Sequence, residues 1–206
     1  MSNAYFSKNL LKNQLSALNK ASDLGFSVGL IDENDYYKWS VLFNGPDDTI
    51  FEGGFFKAIL TFPEDFPQNP PEMKFITEMF HPNIYPDGRV CISILHSPGV
   101  DQFNTQEKAE ERWRPSLGVE QILISVISML NDPNCDSPAN VDAAVMFRNN
   151  RKEYEKKVRQ LAIKSIYTRT MQNTYAYLSI FINIRMEHFC YKSHFRWVLR
   201  IIFRKS

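Results

Sequence analysis

The 206-residue sequence predicts an α+β fold with an N-terminal helix, a four-stranded antiparallel meander sheet and C-terminal helices. Three observations predict it. Leucines at helical spacing lie within the first twenty residues, short β-like runs separated by turn residues fill positions 26–77, and longer helical patterns follow residue 119. Short connections between the runs favour antiparallel pairing. The order helix, sheet, helices is typical of a layered α+β domain.

The first predicted helix carries leucines on one face and lysines on the other. The leucines are Leu10, Leu11, Leu15 and Leu18, and the lysines include Lys8 and Lys12. This spacing predicts an amphipathic helix. From the residues alone, its basic face is equally well a solvated surface or a contact surface for a partner.

The middle of the chain contains four candidate strands, followed by two candidate helices. The strands are expected at 26–31, 37–43, 55–62 and 73–77. Turn residues separate them, among them Asn44-Gly45-Pro46 and the prolines at 67, 70 and 71. A mostly apolar helix is expected at 119–130, and one charged helix from about 140 to 164.

The bulk composition indicates one globular domain in a reducing compartment. The length suits a single well-buried core and is too short for two ordinary domains. Three cysteines form no disulfide framework. The first fifteen residues lack the continuous apolar segment of a secretory signal, so a cytosolic body is expected. The net charge of +1 predicts no general affinity for nucleic acid.

The last 41 residues differ in composition from the rest. Residues 166–206 carry seven Lys/Arg and one acid, whereas residues 1–165 carry a net charge of −5. We therefore expect a catalytic core at 1–165 and a basic, aromatic-rich tail at 166–206, poorly ordered or lying on a membrane surface. A variant or mispredicted reading frame whose product packs nowhere is slightly favoured over a functional tail, because the composition changes abruptly and the tail carries no cap or hinge. The 14 uncharged residues from Met171 to Ile184 fall short of the ~20 that a spanning helix needs.

The most informative segment for chemistry is His81-Pro82-Asn83 with Cys91 eight residues after the asparagine. Asp87-Gly88, a tight-turn dipeptide, lies between them. A thiol nucleophile beside an amide that donates a hydrogen bond suits acyl transfer. The Asn83 amide has two interpretations, support of an oxyanion or stabilisation of a turn, and both stay open.

The other candidate ligands in this region predict no metal site. His81, between Pro82 and Asn83, is interpreted as a hydrogen-bonded structural histidine. Cys91, His96 and Cys135 lack the spacing of zinc ligands.

The order of motifs along residues 6–165 resembles the ubiquitin-conjugating enzymes. Besides His81-Pro82-Asn83, Cys91 and Trp113-Arg114-Pro115, the matching motifs are Tyr37-Lys38-Trp39, Asn44-Gly45-Pro46, Phe51-Glu52-Gly53-Gly54-Phe55, Phe62-Pro63-Glu64-Asp65-Phe66-Pro67, Pro70-Pro71 and Leu130-Asn131-Asp132-Pro133-Asn134. A lone His-Pro-Asn would be weak, whereas the ordered set is specific. The resemblance implies that Cys91 carries ubiquitin as a thioester and that Asn83 supports the oxyanion.

The long polar segment after Cys91 resembles the acidic-loop branch of this family. Twenty-one residues separate Cys91 from Trp113, where compact members have a short connection. This branch includes enzymes of endoplasmic-reticulum-associated degradation and of cell-cycle control. Residues 78–91 most resemble the degradation members, and Ser93 fits the branch. The resemblance implies ubiquitin chains of the degradative linkage and proteasomal degradation.

The resemblance also implies roles for further residues. Support of the site is expected from His81, Pro82, Tyr85 and Ser93; guidance of the acceptor lysine from Asp101, Glu107, Glu110, Glu111 and Ser137; and ligase binding from Lys8, Lys12, Phe66, Pro67, Gln68, Pro115 and Ser116. Ser137 stands where many relatives carry an acid. Gln68 stands where many ligase-binding relatives carry a large apolar residue.

The partners implied are ubiquitin, the ubiquitin-activating enzyme and a ring-type ligase, with no nucleic acid and with membrane contact through the tail left open. No cofactor is expected, because the activating enzyme uses the ATP. The expected location is the cytoplasm, with the cytosolic face of the endoplasmic reticulum and the nucleus as alternatives. Three rival functions remain: a noncatalytic ubiquitin-binding protein, an enzyme for another ubiquitin-like modifier, and a thiol hydrolase. The hydrolase is disfavoured because no second histidine belongs to a recognisable dyad.

Overall fold

The computed structural model describes residues 3–21, 24–100 and 107–188, with side chains described to residue 171. The chain divides into two compact units, Met1–Ile166 and Tyr167–Ser206. Within the described ranges the elements, in chain order, are α1 (Asn3–Lys20), β1 (Phe26–Leu30), β2 (Lys38–Asn44), β3 (Phe55–Thr61), β4 (Glu72–Phe75), α2 (Val119–Asn131), α3 (Val141–Asn149) and α4 (Arg151–His188).

The sheet of the first unit is an antiparallel meander in the order β1-β2-β3-β4. Its register pairs Val28 with Val41, Val41 with Ala58, and Leu60 with Met73. Burial alternates along each central strand, because successive side chains point to opposite faces. The predicted α+β fold, with its helix, four-stranded sheet and following helices, is confirmed.

The buried face of the sheet shares one hydrophobic core with α1 and α2. From α1, the leucines at 11, 15 and 18 are buried, as the sequence spacing predicts. From α2, Ile122, Leu123 and Val126 are fully buried. Since α2 packs against the short 3₁₀ turn Ser93–Leu95, this core fixes the segment just after Cys91.

The prediction of a single charged helix at about 140–164 is wrong, because α3 and α4 both occupy this range. The side chain of Asn140 caps α3 by accepting a hydrogen bond from the Ala143 amide. Asn150 ends α3 with a non-helical backbone (φ −144°, ψ 66°), and its carbonyl accepts from the amides of Glu153 and Tyr154 in the first turn of α4. Asn150 therefore interrupts the helical pattern, although the charges continue through it.

Helix α4 runs on past the expected end of the core, to His188. The described part of the tail is thus helical. The basic amphipathic segment that the sequence suggests at 195–205 lies outside the described residues, so its role, like the boundary at residue 165, stays a prediction. None of the helices that the structure describes combines the length and the apolarity needed to span a bilayer.

Candidate active site

The segment that carries Cys91 is held between β4 and residues 83–84. Gly88 adopts a positive φ of +91°, and a Cβ there would lie 2.2 Å from the Phe75 carbonyl oxygen. Beyond this turn, the Val90 amide donates to the Met73 carbonyl (2.9 Å), and the Cys91 amide donates to the Asn83 carbonyl (2.9 Å). Only glycine fits this close approach of two backbones, and the result is a fixed position for the thiol.

His81 is fully buried, and both of its ring nitrogens have backbone partners. Nδ1 accepts from the Asn83 amide (3.0 Å), which leaves Nε2 protonated to donate to the Met129 carbonyl (3.0 Å). Burial lowers the pKa of His81 to about 4, so the ring is neutral at physiological pH. These contacts support the interpretation of His81 as a structural residue that joins the Asn83 turn to α2.

The Asn83 side chain is buried and faces the backbone of Asn134 across the site. Its Nδ2 donates to the Asn134 carbonyl (2.7 Å), and its Oδ1 accepts from the Asn134 amide (2.8 Å). The Asn140 amide also donates to the Pro82 carbonyl (2.9 Å), so a second bond joins the same loops. The turn-stabilising role of Asn83 is therefore observed. A carboxamide nitrogen carries a second hydrogen, which remains for the oxyanion role.

Cys91 is half-buried, and His96 lies beside its sulfur. The distance from Cys91 Sγ to His96 Nε2 is 3.6 Å, brought about by the 3₁₀ turn Ser93–Leu95 between them. The hydrogen bond with His96 lowers the pKa of the Cys91 thiol, although partial burial opposes this, and the same bond raises the pKa of His96. The pair thus favours a thiolate beside an imidazolium.

Glu107 holds His96 from the other side of the ring. His96 Nδ1 lies 2.7 Å from Glu107 Oε1, and Arg112 Nη1 lies 3.3 Å from Glu107 Oε2. The Glu107 side chain is only 6% exposed, so its charge is balanced within the protein by Arg112. Arg112 Nε also donates to the Ser97 carbonyl (2.8 Å). A carboxylate on Nδ1 fixes the orientation of the ring.

Tyr85 is a second residue that affects the thiol. It lowers the pKa of Cys91, although less than His96 does, and the negative charge on Cys91 raises the pKa of Tyr85. Arg89 lies over the tyrosine ring, 4.9 Å from its centroid, and Arg89 Nε bonds Asp87 Oδ2 at 2.7 Å. His96 and Tyr85 therefore both favour the thiolate form of Cys91.

A cleft of about 600 Å³ opens beside the thiol. The residues that line it include Cys91, Asn83, Ser93, His96 and Glu107. The remaining polar wall residues are Glu111, Ser125, Ser128, Asp132, Asn134, Asp136 and Ser137. The cleft therefore offers hydroxyls and carboxylates to whatever approaches the sulfur.

The residues expected to guide an acceptor lysine are only partly brought together. Glu107, Glu111 and Ser137 line the cleft. Glu110 is exposed and is not among the wall residues, and Asp101 lies outside the described residues. Both oxygens of Glu107 face His96 and Arg112, so this residue supports the histidine. Asp132 and Asp136, which the sequence reasoning did not single out, supply carboxylates instead.

The residues expected to bind a ligase come from three elements that meet. The Ser7 hydroxyl of α1 donates to the Glu64 and Phe66 carbonyls, and Trp113 Nε1 donates to the Pro67 carbonyl (2.7 Å). The exposed members are Lys8, Lys12, Gln68, Pro115 and Ser116. Phe66 and Pro67 are buried, so they support the loop from beneath and do not form its surface.

Two further sequence interpretations are affected by this geometry. In the part of the chain that the structure describes, no three His, Cys, Asp or Glu side chains are grouped as metal ligands are. The reason given against a thiol hydrolase is wrong, because His96 does form a dyad with Cys91. The signal for it was present, since His96 lies only five residues beyond Cys91.

Known proteins share this architecture. The family model for ubiquitin-conjugating enzymes matches residues 10–162. The chain is 60% identical over 156 residues to a probable ubiquitin-conjugating enzyme E2 7 of Caenorhabditis elegans, covering 76% of this chain and 94% of the relative. It is 53% identical over 142 residues to ubiquitin-conjugating enzyme E2 G2 of Homo sapiens, covering 69% and 86%.

A solved structure gives the same result. The structure of human ubiquitin-conjugating enzyme E2 G1 is similar to this chain with a TM-score of 0.55 and 57% identity, covering 62% of this chain and 96% of the other. The match spans most of the chain in sequence and repeats its fold, with Cys91 at a cleft among donors suited to a thiolate. The chain belongs to the ubiquitin-conjugating enzyme family.

Proposed function

We propose that Cys91 accepts the C-terminus of ubiquitin as a thioester from the activating enzyme, and that the enzyme then passes ubiquitin to substrate lysines together with a ligase. Family membership makes the chain a ubiquitin transferase that acts through a thioester intermediate. The observation that carries the assignment to Cys91 is its position at the cleft, with its backbone fixed by Asn83 and its sulfur bonded by His96.

The charging step uses the thiolate form of Cys91. The thiolate, and not the thiol, attacks a carbonyl carbon, and the hydrogen bond with His96 is the main cause that favours that form, with a smaller contribution from Tyr85. The sulfur attacks the activated C-terminal carbonyl of ubiquitin, and the thiolate of the activating enzyme leaves. The half-buried sulfur is accessible from the cleft that Cys91 lines.

The transfer step requires a neutral amine. At an ordinary pKa near 10.4, roughly one lysine in a few thousand is neutral at physiological pH. Glu111, Asp132 and Asp136 attract the ammonium form into the cleft. The amine attacks the thioester carbonyl carbon, which is bonded to the Cys91 sulfur. His96, supported by Glu107, lies beside that sulfur, and it accepts the proton that the amine loses.

Stabilisation of the oxyanion of the tetrahedral intermediate is assigned to the side-chain amide of Asn83. One Nδ2 hydrogen bonds the Asn134 carbonyl and holds the amide in place, and the second donates to the developing charge. A donor that is fixed before the reaction needs no reorganisation during it. The bond to Asn134 and the oxyanion role therefore support each other.

Partner binding is proposed on the surface where α1 meets the two loops. Lys8 and Lys12 present positive charge to the activating enzyme and the ligase, and Pro115 and Ser116 present the second ligase loop. At the first loop the exposed residue is the polar Gln68, which buries less apolar area than a large hydrophobic side chain. We therefore propose a selective ring-type ligase.

The proposed output is ubiquitin chains of the degradative linkage, which target substrates to the proteasome. The long segment between Cys91 and Trp113 supports this through its resemblance to the degradation branch. The proposed location is the cytoplasm, with the cytosolic face of the endoplasmic reticulum and the nucleus as alternatives. We propose that the enzyme holds no cofactor, since ATP is used by the activating enzyme.

A charging assay on nonreducing gels tests the proposal. The full-length chain is incubated with ubiquitin, activating enzyme and ATP. We expect an adduct that thiols remove, and in Cys91→Ser an adduct that thiols leave intact, because an oxyester replaces the thioester. Cys135→Ser is the matched control and should charge as a thioester. An adduct with another ubiquitin-like protein but none with ubiquitin would show that ubiquitin is not the modifier. A thioester that still forms in Cys91→Ser would refute the assignment of Cys91 as the nucleophile.

A further inference from the structure

We infer that the charged enzyme also transfers ubiquitin to the hydroxyl groups of serine and threonine side chains, with His96 as the proton acceptor. This inference rests on the proposed function, because it needs the thioester on Cys91. The observation behind it is the row of three side chains formed by Cys91, His96 and Glu107, in which the imidazole separates the reacting sulfur from a buried carboxylate.

The geometry defines which form of His96 meets the acceptor. Glu107 Oε1 lies 2.7 Å from Nδ1, so the carboxylate accepts the Nδ1 proton. In the neutral ring Nε2 then carries a lone pair, and this atom lies 3.6 Å from the sulfur. Once the sulfur is acylated it has no proton to share, and the Nε2 lone pair faces the space from which an acceptor attacks.

Hydroxyl and amine acceptors differ in what they need from the enzyme. A neutral amine attacks a thioester without prior loss of a proton. An alcohol, whose pKa lies far above physiological pH, is a poor nucleophile unless a base removes its proton as it attacks. An oriented imidazole beside the acyl group is therefore helpful to lysine and essential to serine or threonine. A carboxylate on the far side of that imidazole stabilises the imidazolium that forms.

The proposed step is balanced. The hydroxyl oxygen attacks the carbonyl carbon of the thioester, and its proton passes to His96 Nε2. The carbon–sulfur bond breaks, and its electron pair goes to Cys91 Sγ. The proton stays on His96, and the imidazolium beside the thiolate is the pair that the free enzyme already favours. The products are a ubiquitin oxyester and the free enzyme, with no oxidant, reductant or further reactant.

The cleft also suits a small uncharged side chain. Its wall beside α2 carries the hydroxyls of Ser125 and Ser128, both within the same cleft as Cys91 and His96. A volume of about 600 Å³ admits a short side chain with its backbone. The charges of Glu107 and Arg112 oppose each other at 3.3 Å, so Glu107 adds little net negative charge that would select for a cation.

A single-turnover discharge assay tests the inference. The full-length enzyme is charged with ubiquitin, ATP is removed, and one of two blocked amino acids is added, Nα-acetyl-threonine amide or Nα-acetyl-lysine amide. Blocking the α-amine leaves one nucleophile in each. We expect a threonine product that hydroxylamine cleaves and a lysine product that it does not. In His96→Gln we expect the threonine rate to fall roughly a hundredfold and the lysine rate by only a few-fold.

Glu107→Gln and Glu33→Gln complete the design. Glu107→Gln keeps the size of the side chain and removes the charge beside Nδ1, so the threonine rate should fall by roughly tenfold or more. Glu33 is exposed in the turn between β1 and β2, and Glu33→Gln should match the unmodified enzyme with both acceptors. Each discharge is timed from charged enzyme, so slower charging of a variant does not enter its discharge rate, and a variant that charges to completion is folded.

The outcomes separate the inference from the proposed function. Lysine discharge without any hydroxylamine-sensitive threonine product would overturn the inference and leave the proposed function intact. Equal losses of both rates in His96→Gln would also overturn it, because His96 would then serve every acceptor or only the structure. No charging of the unmodified enzyme by ubiquitin would refute the proposed function itself.

Discussion

Glu107 Oε1 lies 2.7 Å from Nδ1 of His96, and Nε2 of the same ring lies 3.6 Å from the Cys91 sulfur. The relationship joins a residue from the long polar segment to the nucleophile. At least one acid of the segment therefore supports the histidine beside the nucleophile.

The reactivity of Cys91 should depend on His96. Because the bond with His96 is the largest cause that lowers the pKa of the thiol, His96→Gln should move the pH profile of iodoacetamide alkylation to higher pH. The measurement uses a Cys135→Ser/Cys190→Ser background so that one thiol reacts. Glu33→Gln in that background should leave the profile in place. An unchanged profile in His96→Gln would contradict the ion pair.

The cleft carboxylates should raise the apparent affinity for lysine. We expect the combined change Glu111→Gln/Asp132→Asn/Asp136→Asn to lower lysine discharge several-fold at subsaturating lysine, because an ammonium is no longer attracted. The deficit should shrink as salt is raised, since exposed charges are screened over about 10 Å at 0.1 M. A deficit of equal size with a neutral acceptor would show that the change acts on something other than charge.

Asn83 should contribute to transfer more than to folding. Asn83→Ala should slow lysine discharge by roughly a hundredfold, as loss of an oxyanion donor does, and should cost about 2 kcal/mol of unfolding free energy for its lost bonds to Asn134. Asn140→Ala is the control. It removes the α3 cap, costs about 1 kcal/mol and should leave discharge near normal. If the two variants lose discharge in proportion to stability, the oxyanion role is wrong.

Gly88 should tolerate no side chain. Gly88→Ala places a Cβ 2.2 Å from the Phe75 carbonyl oxygen at a φ of +91°. Gly53 has a similar φ of +75° with no atom within 4 Å of its ideal Cβ, so Gly53→Ala measures the backbone strain alone, about 1 kcal/mol. Chemical denaturation should give a clearly larger loss for Gly88→Ala, with slower charging. Equal losses would mean that the segment moves freely away from β4.

His81 should make the fold less stable in mild acid. Its pKa is about 4 in the folded protein and 6.5 ordinarily, so the unfolded chain binds the proton more readily. Stability from this group is complete above pH 6.5 and is lost as pH falls towards 4, by about 3 kcal/mol in all. His96 has the opposite sign because its pKa is raised.

For this reason, the unfolding free energy is best measured in a His96→Gln background at pH 7, 5.5 and 4.5. The unfolding free energy of the full-length His96→Gln protein should change little near pH 7 and should fall between pH 7 and pH 4.5. A constant unfolding free energy from pH 7 to 4.5 would contradict the neutral, buried state of His81.

The elements most readily predicted from sequence are those that depend on local pattern. The alternation of Trp39, Val41 and Phe43 indicates β2, because one face of a strand is buried and the other is not. The break between α3 and α4 was missed, since Asn150 resembles any polar helix residue until its non-helical backbone is seen. A pattern of charges shows which faces are solvated but does not reveal a single residue that leaves the helix.

The site was predictable where one motif holds its residues together. Asn83 and Cys91 belong to one short turn, and their contact follows from it. The dyad of Cys91 and His96 depends on a 3₁₀ turn of three residues, and the contact with Glu107 joins two residues eleven positions apart in the sequence. Such contacts arise from packing against α2 and from Arg112, and no periodicity in the sequence reports them.

Arg112 contacts both ends of the segment between Ser97 and Glu107, and this bears on whether the segment tolerates a change in length. Its side chain bonds the Ser97 carbonyl at 2.8 Å and the Glu107 carboxylate at 3.3 Å, so both ends of the segment from 97 to 107 are fastened to one residue. Lengthening a closed loop is inexpensive, about 0.6 kcal/mol for each doubling. We therefore expect residues inserted between these two contacts, for example as an engineered tag, to leave the distances among Cys91, His96 and Glu107 unchanged.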